Sequence, residues 1–270
     1  MSKIGFPFYE LSTVDSTNNY AMARVHEGLA FHGMAVFAHE QTAGKGQRGK
    51  SWVAEPGSNI ILSVTVETLP IRHLPPFALS AAVALACHAF FRNYAQDETS
   101  IKWPNDIYWR DRKAGGILIE NVYRGQEWQW AVLGMGININ QTQFPDLSAG
   151  NGAIATAGDS PVIKRPPPVS LRQITGKTFD AAAMARELCG HLETEWEQLL
   201  AWGESGAAGA NPMPRYQSHL FGLGKRVRLR RGENVLETEI TGVDPDGRLK
   251  TTLDGDTAFS VGDVEWMFDH

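Results

Sequence analysis

The chain has 270 residues, 43% of them apolar, enough for one full-sized core and a small second domain. Its net charge of −5 argues against a general binder of nucleic acid or of membrane surfaces. It holds no apolar N-terminal run and no stretch of about 18 consecutive apolar residues, so a soluble cytoplasmic protein is expected.

Phe8–Val14 alternates and predicts a first strand. Ser16-Thr-Asn-Asn then opens a helix to about Gly28, with Ala21, Val25 and Leu29 on one face. Met34–His39 and Asn59–Glu67 predict strands, and Pro75–Tyr94 a long helix with proline at its start. Ile101–Trp103, Ile107–Trp109, Gly115–Tyr123 and Trp128–Asn140 predict further strands, the last two joined by a hairpin at Arg124-Gly-Gln-Glu127. Residues 141–177 are expected to be loop, stiffened by Pro166-Pro-Pro168. Phe179–Trp202 predicts a third helix with Glu193, Glu195 and Glu197 towards its exposed side, and a Gly/Ala/Pro-rich linker is expected over 203–214.

Beyond the linker, Lys225–Arg231, Val235–Val243, Leu249–Leu253 and Thr257–Val261 alternate, with turns at Gly232, Pro245-Asp-Gly247 and Asp254-Gly255. That pattern predicts a small antiparallel barrel of SH3 size. Alternation in the arginine-rich first strand turns Val227 and Leu229 inward and the arginines to solvent, against a nucleic-acid reading. The expected domains are 1–214 and 215–270. Cys87 and Cys189 lie in helical patterns among alanine and leucine and are expected to be reduced and buried; no CxxC or Cys/His cluster points to a metal.

The most informative stretch is Glu40-Gln-Thr-Ala-Gly-Lys-Gly-Gln-Arg-Gly-Lys-Ser-Trp52, where Gly44, Gly46 and Gly49 alternate with Lys45, Arg48 and Lys50. Such a loop can turn backbone N–H groups to an anion while basic side chains close over it. Gly44–Ser51 also satisfies the P-loop pattern, but a P-loop runs straight into a helix, and here Pro56-Gly57 and a strand follow. Lys102-Trp-Pro-Asn-Asp106 places an amide and a carboxylate at a stiffened turn, which is also ordinary turn chemistry. Lys113-Ala-Gly-Gly116 sets an ammonium at the mouth of a buried strand, where a solvated strand end is the alternative. Glycines in Gly134-Met-Gly-Ile-Asn138 allow a flat ligand to come close, and Asn138 could read an amide-like edge; a β-bulge is the alternative.

The order of these motifs, from Ser16-Thr-Asn18 through Gln41–Trp52, Lys102–Asp106 and Lys113–Leu118 to Gly134–Asn138, resembles biotin–protein ligases, the BirA family. The resemblance covers essentially the whole chain. It implies an α+β fold: a mixed sheet flanked by helices, like the class II aminoacyl-tRNA synthetase and biotin ligase catalytic domain, followed by an SH3-like barrel. The family's regulatory members carry an N-terminal helix-turn-helix. Because the sequence starts at the catalytic domain, the resemblance is to the type that does not bind DNA.

The resemblance further implies that biotin and ATP, with Mg²⁺, give biotinyl-5′-AMP and pyrophosphate. The acyl group then passes to a lysine of a biotin carboxyl carrier domain, as in acetyl-CoA carboxylase. Lys113 matches the family's essential lysine, and Arg48 and Asp106 join it as expected catalytic residues. Ser16, Thr17, Asn18 and Gln41 are expected at biotin, with Lys45, Gly46, Gln47, Lys113 and Gly116. Lys45, Arg48 and Lys50 are expected at the nucleotide phosphate, and Trp52 and Asn138 at adenine. No residue is assigned to a metal.

One departure is Gln47, where many relatives have an arginine associated with holding the adenylate. Arg48 or Lys45 is expected to take over the phosphate. Lipoate–protein ligase, of the same fold, is disfavoured because its arginine-rich, triple-glycine motif is missing. A non-enzymatic sensor would not need Lys113. Partners expected are the carrier domain, neither DNA nor a membrane, with a homodimer left open.

Overall fold

The computed structural model describes residues 2–145, 166–253 and 258–268. β1 (Phe8–Val14) and α1 (Thr17–His26) are followed by β2 (Ala35–Gln41) and β3 (Ile60–Glu67). Next come α2 (Pro76–Ala95), β4 (Thr99–Lys102), β5 (Asp106–Trp109), β6 (Arg112–Arg124) and β7 (Glu127–Ile137). These strands form one seven-stranded mixed sheet ordered β1-β2-β3-β7-β6-β5-β4, in which only β1 and β2 run parallel. α3 (Leu171–Thr175), α4 (Ala181–Ser205) and α5 (Pro212–Ser218) complete the helical set.

Strand parity divides the sheet into two faces. Ile60, Leu62, Val64 and Val66 of β3 and Ala131, Leu133, Met135 and Ile137 of β7 point into the main core, which α2 and α4 also fill. The alternate residues face α1, whose Ala21 and Val25 pack on Val36 and Val132. On that second face the register aligns Ser63 with Gly134 and Leu118, and Ile61 with Gly136, Gly116 and Asp106. Small and polar residues in an otherwise apolar sheet thus gather beside the N-terminus of α1.

The C-terminal strands β8 (Arg226–Arg231), β9 (Asn234–Val243), β10 (Leu249–Thr251), β11 (Ala258–Phe259) and β12 (Glu265–Met267) form an antiparallel, SH3-like sheet ordered β11-β10-β9-β8-β12. Leu229 is fully buried and Arg226 exposed, as the alternation predicts, whereas Arg228 and Arg230 are half-buried, Arg230 paired with Glu265 at 2.7 Å. This sheet is tied to the β4–β5 edge. Ile101 N–H donates to His219 O (2.8 Å), Phe221 N–H to Ile101 O (2.8 Å), and Trp103 Nε1 to Gly247 O (2.9 Å).

Several expectations are corrected. α1 ends at His26 because Gly28 adopts φ +72, so Leu29 leaves the helix face and is 52% exposed. Glu195 is buried, not solvent-facing: α5 brings Arg215 against it in a two-pronged ion pair of 2.7 and 2.8 Å. The expected linker holds the end of α4, a 3-10 turn at Ala208–Ala210 and the start of α5, whose Tyr216 is fully buried. Within the expected loop, Ser170 and Gln173 form a capping box that starts α3; residues 146–165 and the Asp254-Gly255 turn lie outside the described residues. β12 lacked a turn signal and was not expected. Cys87 and Cys189 are free and buried.

Candidate functional site

Ser16 caps α1, and its hydroxyl accepts from Asn19 N–H at 3.5 Å. The cap turns Thr17 and Asn18 into the sheet, where both are buried. Thr17 N–H and Oγ1 donate to Gln41 Oε1 at 2.8 and 3.1 Å. Ser63 Oγ lies 2.8 Å from Thr17 Oγ1 and 2.6 Å from Asn18 Oδ1, and Asn18 Nδ2 donates to Glu120 Oε2 at 2.8 Å. A Cβ on Gly134 would overlap Asn18 Oδ1, so this position admits only glycine. The result is a buried polar wall on the α1 face.

The glycine loop folds as a tight hairpin over that face. Lys45 pairs with Ser51, Gly46 N–H donates to Lys50 O (2.6 Å), and Trp52 N–H donates to Gly44 O (2.9 Å). Arg48 sits in the left-handed region at φ 57, ψ 41. Residues 52–59 contain no helix before β3, which removes the P-loop alternative. Lys45, Arg48 and Lys50 are exposed, and Arg48 Nη1 donates to Gly262 O of the C-terminal sheet at 3.3 Å. Asn19's hydrogen bond, and more weakly the nearby Lys45, hold the Asp15 carboxyl below its ordinary range at the base of the loop.

Trp52 lies across the cross-strand pair Gly116 and Gly136, where a side chain on Gly136 would overlap the indole. Its buried Nε1 has no hydrogen-bond partner among the described residues. The flat body that these glycines admit in this structure is therefore the chain's own indole.

Lys113 Nζ stands over the Trp52 ring at 5.6 Å and pairs with Asp106 Oδ1 at 2.7 Å. A register shift between Ile107 and Tyr108, opposite Ala114, re-aims Lys113 towards Gly116. Asn105 Nδ2 donates to Ile117 O and Asn105 O accepts from Ile117 N–H (3.0 Å), which fixes the turn that carries Asp106. Tyr216 donates to Pro104 O (3.0 Å) from beneath that turn; burial, then the Asp106 charge, push its phenol well up.

The structure thus brings Ser16, Thr17, Asn18 and Gln41 together on one wall, and Lys113, Asp106, Gly116 and Trp52 beside it. The loop bearing Lys45, Gly46, Gln47, Arg48 and Lys50 lies above. Asn138 is turned inward: it is 4% exposed, and its Nδ2 donates to Val169 O (3.2 Å) and Lys113 O (3.4 Å). Two polar members of the wall, Ser63 and Glu120, belong to none of the motifs. The available signal was a serine inside the apolar run Ile60-Ile-Leu-Ser-Val-Thr-Val66.

The fold is that of the biotin protein ligases: the enzyme from Aquifex aeolicus in complex with biotin and ATP superposes with TM-score 0.71 at 21% identity, covering 97% of this chain and 99% of that one. The profile of the biotin/lipoate A/B protein ligase family matches residues 11–138, and that of the biotin protein ligase C-terminal domain matches residues 222–266. The bifunctional ligase/repressor BirA of Escherichia coli strain K12 is 33% identical over 91% of this chain and 69% of its own length. The biotin–[acetyl-CoA-carboxylase] ligase of Mycobacterium tuberculosis is 30% identical over 92% of this chain and 85% of its own. The chain belongs to the biotin/lipoate A/B protein ligase family.

Proposed function

We propose that this chain is a biotin–protein ligase. It activates biotin with ATP and transfers the biotinyl group to one lysine of a biotin carboxyl carrier domain, such as that of acetyl-CoA carboxylase. In the first step a biotin carboxylate oxygen attacks the α-phosphorus, the bond to the β-phosphate bridge breaks, and pyrophosphate leaves. In the second the carrier lysine's neutral amine attacks the acyl carbon, AMP leaves, and the amine's proton passes to solvent.

The observation that carries this reading is Lys113 paired with Asp106 and held over Gly116 and the Trp52 ring, at the end of the cationic loop. An ammonium has three donors; one is directed at Asp106, which leaves two for the carboxylate oxygen and the α-phosphate. Those two anions repel, so gathering them against fixed cations is where the chain lowers the barrier. Asp106 holds Lys113 in place for that task and stands beside the path of the incoming carrier amine. Ser16, Thr17 and Gln41 hold the ureido ring, and Asn18 backs them from behind. The loop cations, with Gly46 and Gln47, cover the adenylate. Lys45 and Arg48 supply the charge that Gln47 lacks.

Trp52, with an indole N–H awaiting an acceptor, moves to border the adenine once ligand takes its place on the glycine pair. Asn138 supports that region through the backbone of residues 113 and 169. Among the described residues no three His, Cys, Asp or Glu side chains gather as a metal site. Asp106 and Glu120 face Lys113 and Asn18, so the donor set suits Mg²⁺ held by the nucleotide's phosphate oxygens and water.

The test is incubation with biotin, ATP, Mg²⁺ and an isolated carrier domain, followed by intact-mass measurement of the carrier. A gain equal to biotin less one water is expected. An unmodified carrier, with no ATP-dependent formation of biotinyl-AMP, would falsify the reading.

A further inference from the structure

By simple alternation Lys113 belongs on the other side of its strand. Along β6, Gly115, Ile117 and Ile119 pair with Ile137, Met135 and Leu133 and turn to the main core, while Gly116 and Leu118 turn to the site face. Continued towards the N-terminus, that parity would put Ala114 beside Gly116 and send Lys113 into the core. The observed placement is the reverse. Ala114 is fully buried in the main core, and Lys113 Nζ lies against Gly116. The bulge at Ala114, where Ile107 pairs with Gly115 but Tyr108 with Lys113, makes the exchange.

We infer that Arg112 is a positioning residue for the proposed ligation: it clamps the proline segment Pro166–Pro168 beside β6, and that segment holds the bulge that keeps Lys113 on the site face. This rests on the ligase reading above, in which Lys113 gathers the two anions. Arg112 itself lies outside every motif.

The bulge and the prolines each leave backbone groups over. Three successive prolines carry no N–H, so residues 166–168 cannot donate to a neighbouring strand. They offer carbonyls alone, and Arg112 supplies the donors. Its Nε donates to Pro167 O at 2.9 Å and its Nη2 to Pro168 O at 2.7 Å. A guanidinium suits this task because its donors lie in a fixed plane and reach two acceptors at once.

Val169 is the first residue after the prolines with an N–H, and it donates to Lys113 O at 2.9 Å. The carbonyl it holds is that of the lysine itself, so the clamp reaches the residue it places. Asn138 closes the frame: its N–H donates to Ala114 O at 2.8 Å, and its Nδ2 to Val169 O at 3.2 Å. Both carbonyls of the bulge are thus engaged, one by the proline segment and one by the residue that follows β7.

Lys113 is therefore gripped at two ends. Asp106 holds its ammonium, and Val169 holds its backbone. Val169 and Leu171, buried in the main core, fix the segment beyond the prolines, and Arg112 fixes the prolines themselves. Loosening the backbone grip lets the ammonium drift, and a misplacement of about 1 Å can cost on the order of 10²-fold in rate.

The test measures ATP–pyrophosphate exchange over a range of biotin and ATP concentrations, beside the thermal midpoint. Arg112→Met keeps most of the stem and deletes both bonds. Its kcat should fall about tenfold, while KM for biotin and for ATP stay within about twofold. Arg112→Lys keeps the charge and satisfies one carbonyl at a time, so its kcat should fall about threefold. That variant carries the test if Arg112→Met fails to fold.

Val169→Pro extends the run of prolines and removes the N–H that reaches Lys113 O, with a loss in kcat of about tenfold expected. Arg112→Met added to Val169→Pro should lower kcat by less than about a further twofold, because the bond through which the clamp acts is already gone. The thermal midpoint should still fall. Losses in kcat that multiply in the double variant, a loss that falls on KM, an unchanged kcat in Arg112→Met or a parent-like kcat in Arg112→Lys would each overturn the inference. Failure of the unmodified chain to activate biotin would instead overturn the ligase reading, so the two are separable.

Discussion

The two sides of the site are built on opposite principles. On the wall, Thr17, Asn18 and Ser63 are buried and bonded to one another, to Gln41 and to Glu120. On the loop, Lys45, Arg48 and Lys50 are exposed, the hairpin closes through its own backbone bonds, and Arg48 donates to Gly262 O. A ring of fixed shape is read best by groups that cannot move, since reorganisation subtracts from discrimination. A charge that appears only during reaction is better met by long cationic side chains that close once it forms. Binding selectivity thus belongs to the wall and retention of the intermediate to the loop.

The largest expected effect lies at the junction of the two. Lys113→Ala removes the donor that both sides share and leaves Asp106 without its partner. ATP–pyrophosphate exchange should fall about 10³-fold, with biotin binding weakened far less, by about tenfold at most, and the thermal midpoint little changed. Exchange near the parent level would show that the loop cations alone carry the chemistry. A sharper division comes from Lys45→Ala combined with Arg48→Ala. Release of biotinyl-AMP should accelerate about 10²-fold while affinity for free biotin moves less than about threefold. Equal losses for both ligands would mean that loop and wall do not act separately.

On the wall, Ser63→Ala removes a hydroxyl that no water can replace and leaves Asn18 Oδ1 without its donor. The expected costs are about 1–3 kcal/mol of stability and about tenfold in biotin affinity, with adenylate release relative to binding unchanged. Denaturant unfolding beside equilibrium dialysis gives both numbers. A faster release of biotinyl-AMP without weaker biotin binding would reverse the division of labour proposed here.

The loop was legible in sequence because glycine and cation alternate within one short stretch, and local composition carried the message. The fold was legible for a similar reason: β3 reads as one apolar run, and the C-terminal strands alternate between turn residues. The wall was legible only in half. Ser16–Asn18 and Gln41 sit in motifs, whereas Ser63 and Glu120 enter through register, which aligns Ser63 with Gly134 and places Glu120 one row beyond. Pairing across a sheet depends on which strands are neighbours, and the order β3-β7-β6 cannot be read from any one segment. Glu195 failed for the same reason. Its partner Arg215 is 20 residues away, on a short helix hidden in a stretch whose Gly, Ala and Pro content reads as linker.

The smallest expected effect concerns what holds the loop. Arg48 donates to the carbonyl of Gly262, which lies in the tight turn Ser260–Asp263, closed by bonds from Ser260 N–H to Asp263 Oδ2 (2.8 Å) and from Asp263 N–H to Ser260 O (3.0 Å). Gly262 has φ +99, and a Cβ there would overlap the Arg48 guanidinium, so the turn is shaped to receive that side chain. Gly262→Ala should detach Arg48 and speed tryptic cleavage after it about threefold, with adenylate release rising by no more than about the same factor. In an Arg48→Ala background the same substitution should leave adenylate release unchanged, because the contact it breaks is already gone. Additive effects in that cycle would show that the C-terminal sheet steadies the loop by another route. Release as fast as in the Lys45/Arg48 double variant would show that the contact with the second domain, and not the charge, retains the intermediate.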